Sequence, residues 1–363
     1  MATFEEGLVL GPLSLDSPTL SEQDKVCQYL WDWPDCTSCR KAGHCPISAC
    51  PWSRKAGVQQ YLQFYKDVAC GSRPADTFEV RQALRDHNEL LTIIRLIKSR
   101  PSSARRTLMQ EHFAAYDERP SLAEQNRAFD VAIRLLTMVE CSTGGHQRLD
   151  ISPLSPSIVW KGDDSAIGFA ESAVRLGAPL TYDEIVVLLP DLTAQNLESH
   201  GMVLVQTNNI REHLLYNPRA RIVHVYHYAG FLKECLWPKQ HENPVDAAIF
   251  PRQLAFETLY SLQSVLFPWH DQLSRAIVER EGFDRTCLEV DNVHYSVQFE
   301  HWGARMRVLA RVLETGRPTN ALWAWLKRRS RMKLVMLLIA AFAAIVTVAT
   351  FILEAWKRRE KEA

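Results

Sequence analysis

Several familiar catalytic signatures are missing from this sequence. It has no Gly-x-x-x-x-Gly-Lys-Ser/Thr, no Gly-x-Gly-x-x-Gly, no His-Glu-x-x-His and no Gly-x-Ser-x-Gly. The recognisable phosphate cradles, the zinc hydrolase helix and the nucleophile elbow are thereby removed. An unfamiliar active site stays open, because a catalyst is identified by its spatial partners. Also absent is any Asn-x-Ser/Thr acceptor, which agrees with a body that never enters the secretory lumen. The start MATFEEGLVLGPLSL carries Glu5 and Glu6, is broken by Pro12, and is followed by its first basic residue only at Lys25. It therefore reads as neither a secretory signal nor an Arg-rich transit peptide. No internal repeat or low-complexity block is visible.

Net charge is absent too, with 42 basic and 42 acidic residues, but the balance is uneven along the chain. Positions 327–363 hold nine basic and three acidic residues, so that segment is +6 and the preceding body is −6. An acidic body argues against general nucleic-acid binding, which needs a positive field to neutralise phosphates.

What is present is one uncharged apolar run, residues 334–353 (LVMLLIAAFAAIVTVATFIL), without Pro or Gly. A helix of that length reaches ~30 Å at ~1.5 Å per residue, matching the hydrocarbon core of a bilayer while satisfying its own backbone. Leu334, Leu338, Ala344, Val348 and Leu353 mark its course through the membrane. Lys327, Arg328, Arg329, Arg331 and Lys333 precede it, and Lys357, Arg358, Arg359 and Lys361 follow among glutamates, five basic residues against four. Counting Lys and Arg near the span places the N-terminal body in the cytosol. Trp323 and Trp325 before the run and Trp356 after it fit the lipid–water boundary. The expected topology is tail-anchored and single-pass, with the lipid bilayer as a partner. The flanks do not distinguish the endoplasmic reticulum from the mitochondrial outer membrane.

The rest of the chain follows a mostly helical rhythm. Val58, Tyr61, Leu62, Tyr65 and Val68 repeat at three and four residues. Asp76-x-x-Glu79 resembles a capping box opening an apolar face from Val80 through Ile97, stopped by Pro101. Ser121-x-x-Glu124 opens a third helix and Thr181-x-x-Glu184 a short one ending at Pro190. Met202 to Gln206 and Arg221 to Tyr226 read as strands, with helical turns over Asn208 to Leu215 between them. Pro251 suits a first helical position, and two further helices close before Gly282 and Gly316. The expected fold class is mainly α: a helical bundle-like body, a small two-stranded β element and one transmembrane helix. Its division is an N-terminal segment 1–52, a helical subdomain 53–141, a linker or long loop 142–164, a second subdomain 165–326, the span 334–353 and a charged tail 354–363.

The stretches NRAFDVAIRLLTMVECS (126–142), NNIREHLLYNPRARIVHVYHYAGFLKECL (208–236), FPRQLAFETLYSLQSVLFP (250–268) and FEHWGARMRVLARVLE (299–314), followed by the apolar run, resemble a group of uncharacterised filamentous-fungal proteins. The resemblance implies a helical cytosolic body on one C-terminal anchor, and no catalytic residues come with it.

Five of the nine cysteines fall between Cys27 and Cys50. The run DCTSCRKAGHCPISAC gives Cys36-x2-Cys39-x5-Cys45-x4-Cys50, with His44 beside them. A Cys-x2-Cys knuckle supplies two thiolates of a tetrahedral zinc site, and Cys45 or His44 with Cys50 would close it. The other reading is reduced cysteines packed under Trp31, Trp33 and Trp52; a disulfide framework does not suit a cytosolic body. His224 and His227, three residues apart on a strand, face opposite sides and do not converge on one metal. Three functions remain: an interaction or scaffold protein holding a protein partner at a membrane, a membrane-tethered enzyme of unrecognised class, and a zinc-dependent adaptor.

Overall fold

The computed structural model describes residues 15–36, 50–70, 83–141, 158–174, 177–237, 249–289 and 297–315. Twelve α-helices and a small mixed sheet are found among them. The apolar run 334–353 and its flanks lie outside the described residues. Among the described residues no helix is long and apolar enough to cross a membrane.

Local signals set many of the boundaries. Helix α1 (Leu20–Trp31) opens on a complete capping box in which Thr19 and Glu22 satisfy each other's backbone N–H, and stops where Asp32 turns left-handed. A 3₁₀ stretch (Pro51–Val58) feeds α2 (Gln59–Ala69). Helix α3 (His87–Ser99) starts later than the sequence suggests: Asp86, accepting from the Glu89 N–H at 2.8 Å, is its cap. Ala83 and Leu84 are buried but not helical, while Asp76, Glu79 and Val80 lie outside the described residues. A short helix follows, α4 (Arg105–His112), which the apolar spacing does not announce. In α5 (Leu122–Thr137) Ser121 caps as expected. The Glu124 carboxylate, however, turns to the Ala83 N–H and to Arg127 rather than completing the box.

The segment read as a linker is tied at both ends. Cys141 and Ile158 form a parallel bridge, and Ala104 pairs with Ser165. Between these, Trp160 is buried against Phe129 and Phe169 and receives Arg105 over its ring at 5.0 Å. Arg105 is itself buried, bonded to Asp130 at 2.9 Å and to the Asn126 and Trp160 carbonyls. A guanidinium with planar forks suits such a crowded place better than an ammonium would.

Helices α6 (Ala166–Ala173), α7 (Tyr182–Leu188) and α8 (Ala194–Ser199) lead into the sheet. The sheet has three strands, not the expected two, in the order β1-β3-β2. Strands β1 (Val203–Thr207) and β3 (Ile222–Tyr226) run parallel, with Val203 opposite Ile222. The additional β2 (Leu215–Asn217) pairs antiparallel to β3, Leu215 facing His224. It escapes sequence reading because the helical turn ends early: Leu214 takes φ 58° and its N–H bonds the His224 carbonyl at 2.8 Å. Leu204, Val223 and Val225 point inward.

The last elements are α9 (Ala229–Leu236), α10 (Arg252–Tyr260), α11 (Gln272–Arg280) and α12 (Gly303–Thr315). Pro251 is the cap of α10 rather than its first turn, and the helix continues to Leu266 as a π-helical turn. Phe299 and Trp302, expected within the final helix, precede it and are buried.

The two halves of the chain share one buried cluster of side chains from Leu15 to Leu313. Tyr61 of α2 stacks on Phe231 of α9 with centroids 5.0 Å apart, and its hydroxyl donates to the Leu135 carbonyl. Beside them the backbones nearly touch: a Cβ at Gly230 would lie 1.8 Å from the Gly57 oxygen. Gly230→Ala should therefore cost about 3 kcal/mol or more, since backbone rather than a movable side chain must shift. Gly57→Ala, whose Cβ would meet only Thr286 Cγ2 at 3.6 Å, should stay within about 1 kcal/mol. Urea unfolding of both variants checks the contrast, and equal midpoints would contradict it.

Candidate functional site

The sequence-nominated cysteines sit at the edge of what is described. Cys50 is buried and Cys36 half-buried, whereas Cys39 and Cys45 lie outside the described residues, as do all the anchor and interface positions from Trp323 to Arg359. Among the described residues no group of three or more His, Cys, Asp or Glu is placed to hold a metal. The described residues between Trp31 and Arg54 are tied together by indole rings. Trp33 meets Trp31 at 5.7 Å and Trp52 edge-on at 5.2 Å. The Trp33 indole donates to Glu234 at 3.0 Å, and Arg54 grips the same carboxylate with two bonds of 2.6 and 2.8 Å. Half-exposed Trp237 covers the Arg54 guanidinium at 3.9 Å. The arrangement locks the N-terminal segment onto α9 by a forked ion pair under indole rings, a geometry specific to arginine.

One buried polar assembly was not nominated by the sequence. Glu257, Thr258 and Ser261 project from α10 and its π-helical end, and all three are fully buried. The Glu257 carboxylate accepts the backbone N–H groups of Glu300 and His301 at 2.9 Å and of Trp302 at 3.4 Å. These donors lie just before α12, where a helix leaves its first N–H groups without internal partners and favours negative charge. Thr258 accepts the Trp302 indole N–H at 2.8 Å. Burial raises the Glu257 pKa, and the N–H donors oppose that rise.

Ser261 and His213 form a hydrogen-bonded pair 2.6 Å apart, a combination that elsewhere makes a nucleophile and its base. Here the proton positions forbid it. His213 Nδ1 accepts the Tyr226 N–H at 3.3 Å, so Nε2 bears the ring proton and donates it to Ser261. Ser261 in turn donates to the Thr258 carbonyl at 2.6 Å. No lone pair of the imidazole faces the serine proton. Burial, reinforced by neighbouring Arg305, pulls the His213 pKa down to about 3. Arg305 bonds the His213 carbonyl and stacks over Trp302, and its own burial draws its pKa to about 10.

A second cluster joins Cys287, His227 and Asp284. The thiol donates to the backbone carbonyl of His227 at 3.3 Å, not to its ring, and burial pushes its pKa far up. His227 Nδ1 accepts the Asp284 N–H at 3.2 Å, and burial lowers its pKa to about 4. Asp284 caps the Thr286 N–H. This thiol is a buried hydrophobe rather than a nucleophile. His224 lies half-buried on the opposite face of β3 from Val223 and Val225, and His241 is outside the described residues.

Comparison with known protein families, with curated proteins and with solved structures finds no match for this chain.

Glu257→Ala should leave the His301 and Trp302 N–H groups without an acceptor, the Glu300 N–H keeping the Gln298 carbonyl at 3.1 Å, and cost about 3 kcal/mol, while Glu257→Gln, whose amide oxygen still accepts, should cost clearly less. Urea unfolding of the full chain in mild detergent gives the answer. A loss below about 1 kcal/mol for the alanine variant would mean another group takes over.

The buried imidazoles also set a pH dependence. His213 and His227 have folded pKa values of about 3 and about 4, below the unfolded value near 6.5, so the folded state binds fewer protons. Their stabilisation is complete above the unfolded pKa and is lost as pH falls towards the folded values. Each imidazole then costs about 2 kcal/mol by pH 5. Glu257 and Asp284, raised by burial, act in the opposite direction. His227→Gln keeps an acceptor for the Asp284 N–H but removes one titration. The stability lost between pH 7 and pH 5 should shrink by about 2 kcal/mol relative to the parent, and an unchanged difference would refute the assignment.

Proposed function

We propose that this protein is an interaction module held at an intracellular membrane by the span 334–353, with its helical body on the cytosolic side. The observation that carries this reading is the uncharged twenty-residue run, flanked by Lys and Arg on both sides. The packing of α12 supports it, because that helix is the last described element before the span. It is fixed at its start by Glu257, along its length by Arg307 on Glu184 at 2.6 Å, and by buried Met306, Leu309 and Leu313. A pull from the membrane is thus carried into the core rather than into a loose end. The buried Ser–His and Cys–His contacts are used structurally, which favours recognition by surface over turnover in a pocket. Confinement to a surface raises the effective concentration of any partner on the same membrane, so a weak interface suffices.

Alkaline carbonate should leave the protein in the membrane pellet, and protease added to intact organelles should digest the body. Ala344→Arg, near the middle of the run, should cost ~2.5–3.5 kcal/mol of insertion and release a large soluble fraction. Carbonate release of the parent protein, or a protected body, would overturn the reading.

A further inference from the structure

Helix α7 buries none of its residues, although Ile185, Val186, Val187 and Leu188 make most of it apolar. Tyr182, Val186 and Val187 are 79, 56 and 68% exposed. Tyr182 and Val186, four residues apart, lie on one side of the helix with Val187 beside them. A surface helix facing only water carries polar residues there.

This helix is nevertheless held rigidly. Thr181 and Glu184 close a complete capping box, and Arg307 of α12 takes the Glu184 carboxylate with bonds of 2.6 and 2.7 Å. The forked pair with Arg307 holds the Glu184 pKa down at about 2. Arg307 also donates to the carbonyls of Ala178 and Pro179, and α12 packs along both α7 and the turn Leu189–Asp191. The apolar patch therefore stands next to the helix through which the chain leaves the described body.

The next stretch of chain fits the patch in reach, pattern and charge. From Arg307 to Thr315 the helix advances about 12 Å. Residues 316–320, GRPTN, then span up to about 17 Å and have the length and composition of a connector between antiparallel helices. In the following segment Leu322, Trp323, Trp325 and Leu326 fall on one helical face, with Lys327, Arg328 and Arg329 alongside. The patch carries Asp183 and Asp191, both exposed, on an acidic body, and the segment belongs to the basic end. Those carboxylates favour the basic segment over a surface of anionic head groups.

We propose that residues 321–329 fold back and dock on the exposed face of α7, with Trp323 and Leu326 against Tyr182, Val186 and Val187. The inference deepens the anchored reading, since a docked segment fixes how far the body stands from the bilayer. Docking itself is intramolecular and holds or fails independently of insertion.

The test uses the full chain, in detergent micelles and in liposomes of neutral and anionic lipid. With p-benzoylphenylalanine in place of Val187, irradiation should yield a crosslinked peptide from residues 321–333 in both settings. Adducts to lipid alone, adducts to a second copy, or no crosslink would each overturn the docking. Trypsin cleavage at Lys327 to Arg329 should accelerate about tenfold in Val186→Asp, as a docking free energy lower by about 1.4 kcal/mol requires, and comparably in Trp323→Ala. Val186 is exposed, so its substitution leaves the described core untouched, and unchanged rates in both variants would refute the contact. A protein that carbonate releases but that still crosslinks within 321–333 would end the anchored reading and leave the docking standing.

Discussion

A buried carboxylate, that of Glu257, fixes where the chain leaves the body. Three backbone N–H groups ahead of α12 have no helical partner of their own, and for His301 and Trp302, which have no other acceptor among the described residues, partial or full burial makes them costly to leave unpaired. Glu257 answers all three from a different helix, and Thr258 next to it receives the indole of Trp302. The start of α12 is thereby determined by α10, not by a local cap. Everything downstream inherits that placement, including Arg305 over His213 and Arg307 on Glu184.

The same economy of polar groups runs through the body. A lone buried imidazole or guanidinium would be destabilising, and several of those described are matched by an internal partner instead. His213 is held between Tyr226 and Ser261, His227 by Asp284, and Arg54 between Glu234 and Trp237. Such pairs contribute modest net stability but strong specificity, since a wrong register leaves several groups unpaired together. These imidazoles and the Arg54 guanidinium are thus placed where they select one packing of the described chain.

Much of the local structure was legible in the sequence, and most of the polar assembly was not. The Ser121 cap of α5, the capping box of α7 and the apolar periods of α5, α10 and α11 are short-range patterns and were readable. Strand β2 was not, because three residues carry no period and the positive φ at Leu214 has no glycine to announce it. The start of α3 was misplaced because the apolar side chains Ala83 and Leu84 continue its face while lying outside the helix. The partners of Glu257 lie more than forty residues along the chain, and Arg54 reaches Glu234 across 180. A charged residue on an apolar helix face is the one signal that would have nominated Glu257, and it does not say where the partner is.

The uneven charge of the chain acquires a mechanical meaning when set beside this architecture. An acidic body next to a basic membrane-proximal segment is drawn toward that segment, yet its carboxylates are repelled by anionic head groups within about 8 Å, one Debye length at physiological salt. The two tendencies are compatible only if the basic residues lie between body and bilayer. Under the proposed anchoring, 327–333 is placed at that position by sequence order alone, directly before the span. Under the docking proposed for 321–329, and with α12 held in the core by Glu257 and Arg307, the orientation of that layer would become the orientation of the whole body. On these two proposals a partner approaching along the membrane would meet a defined face of the molecule instead of a freely tumbling domain, which would reduce the rotational freedom lost on binding.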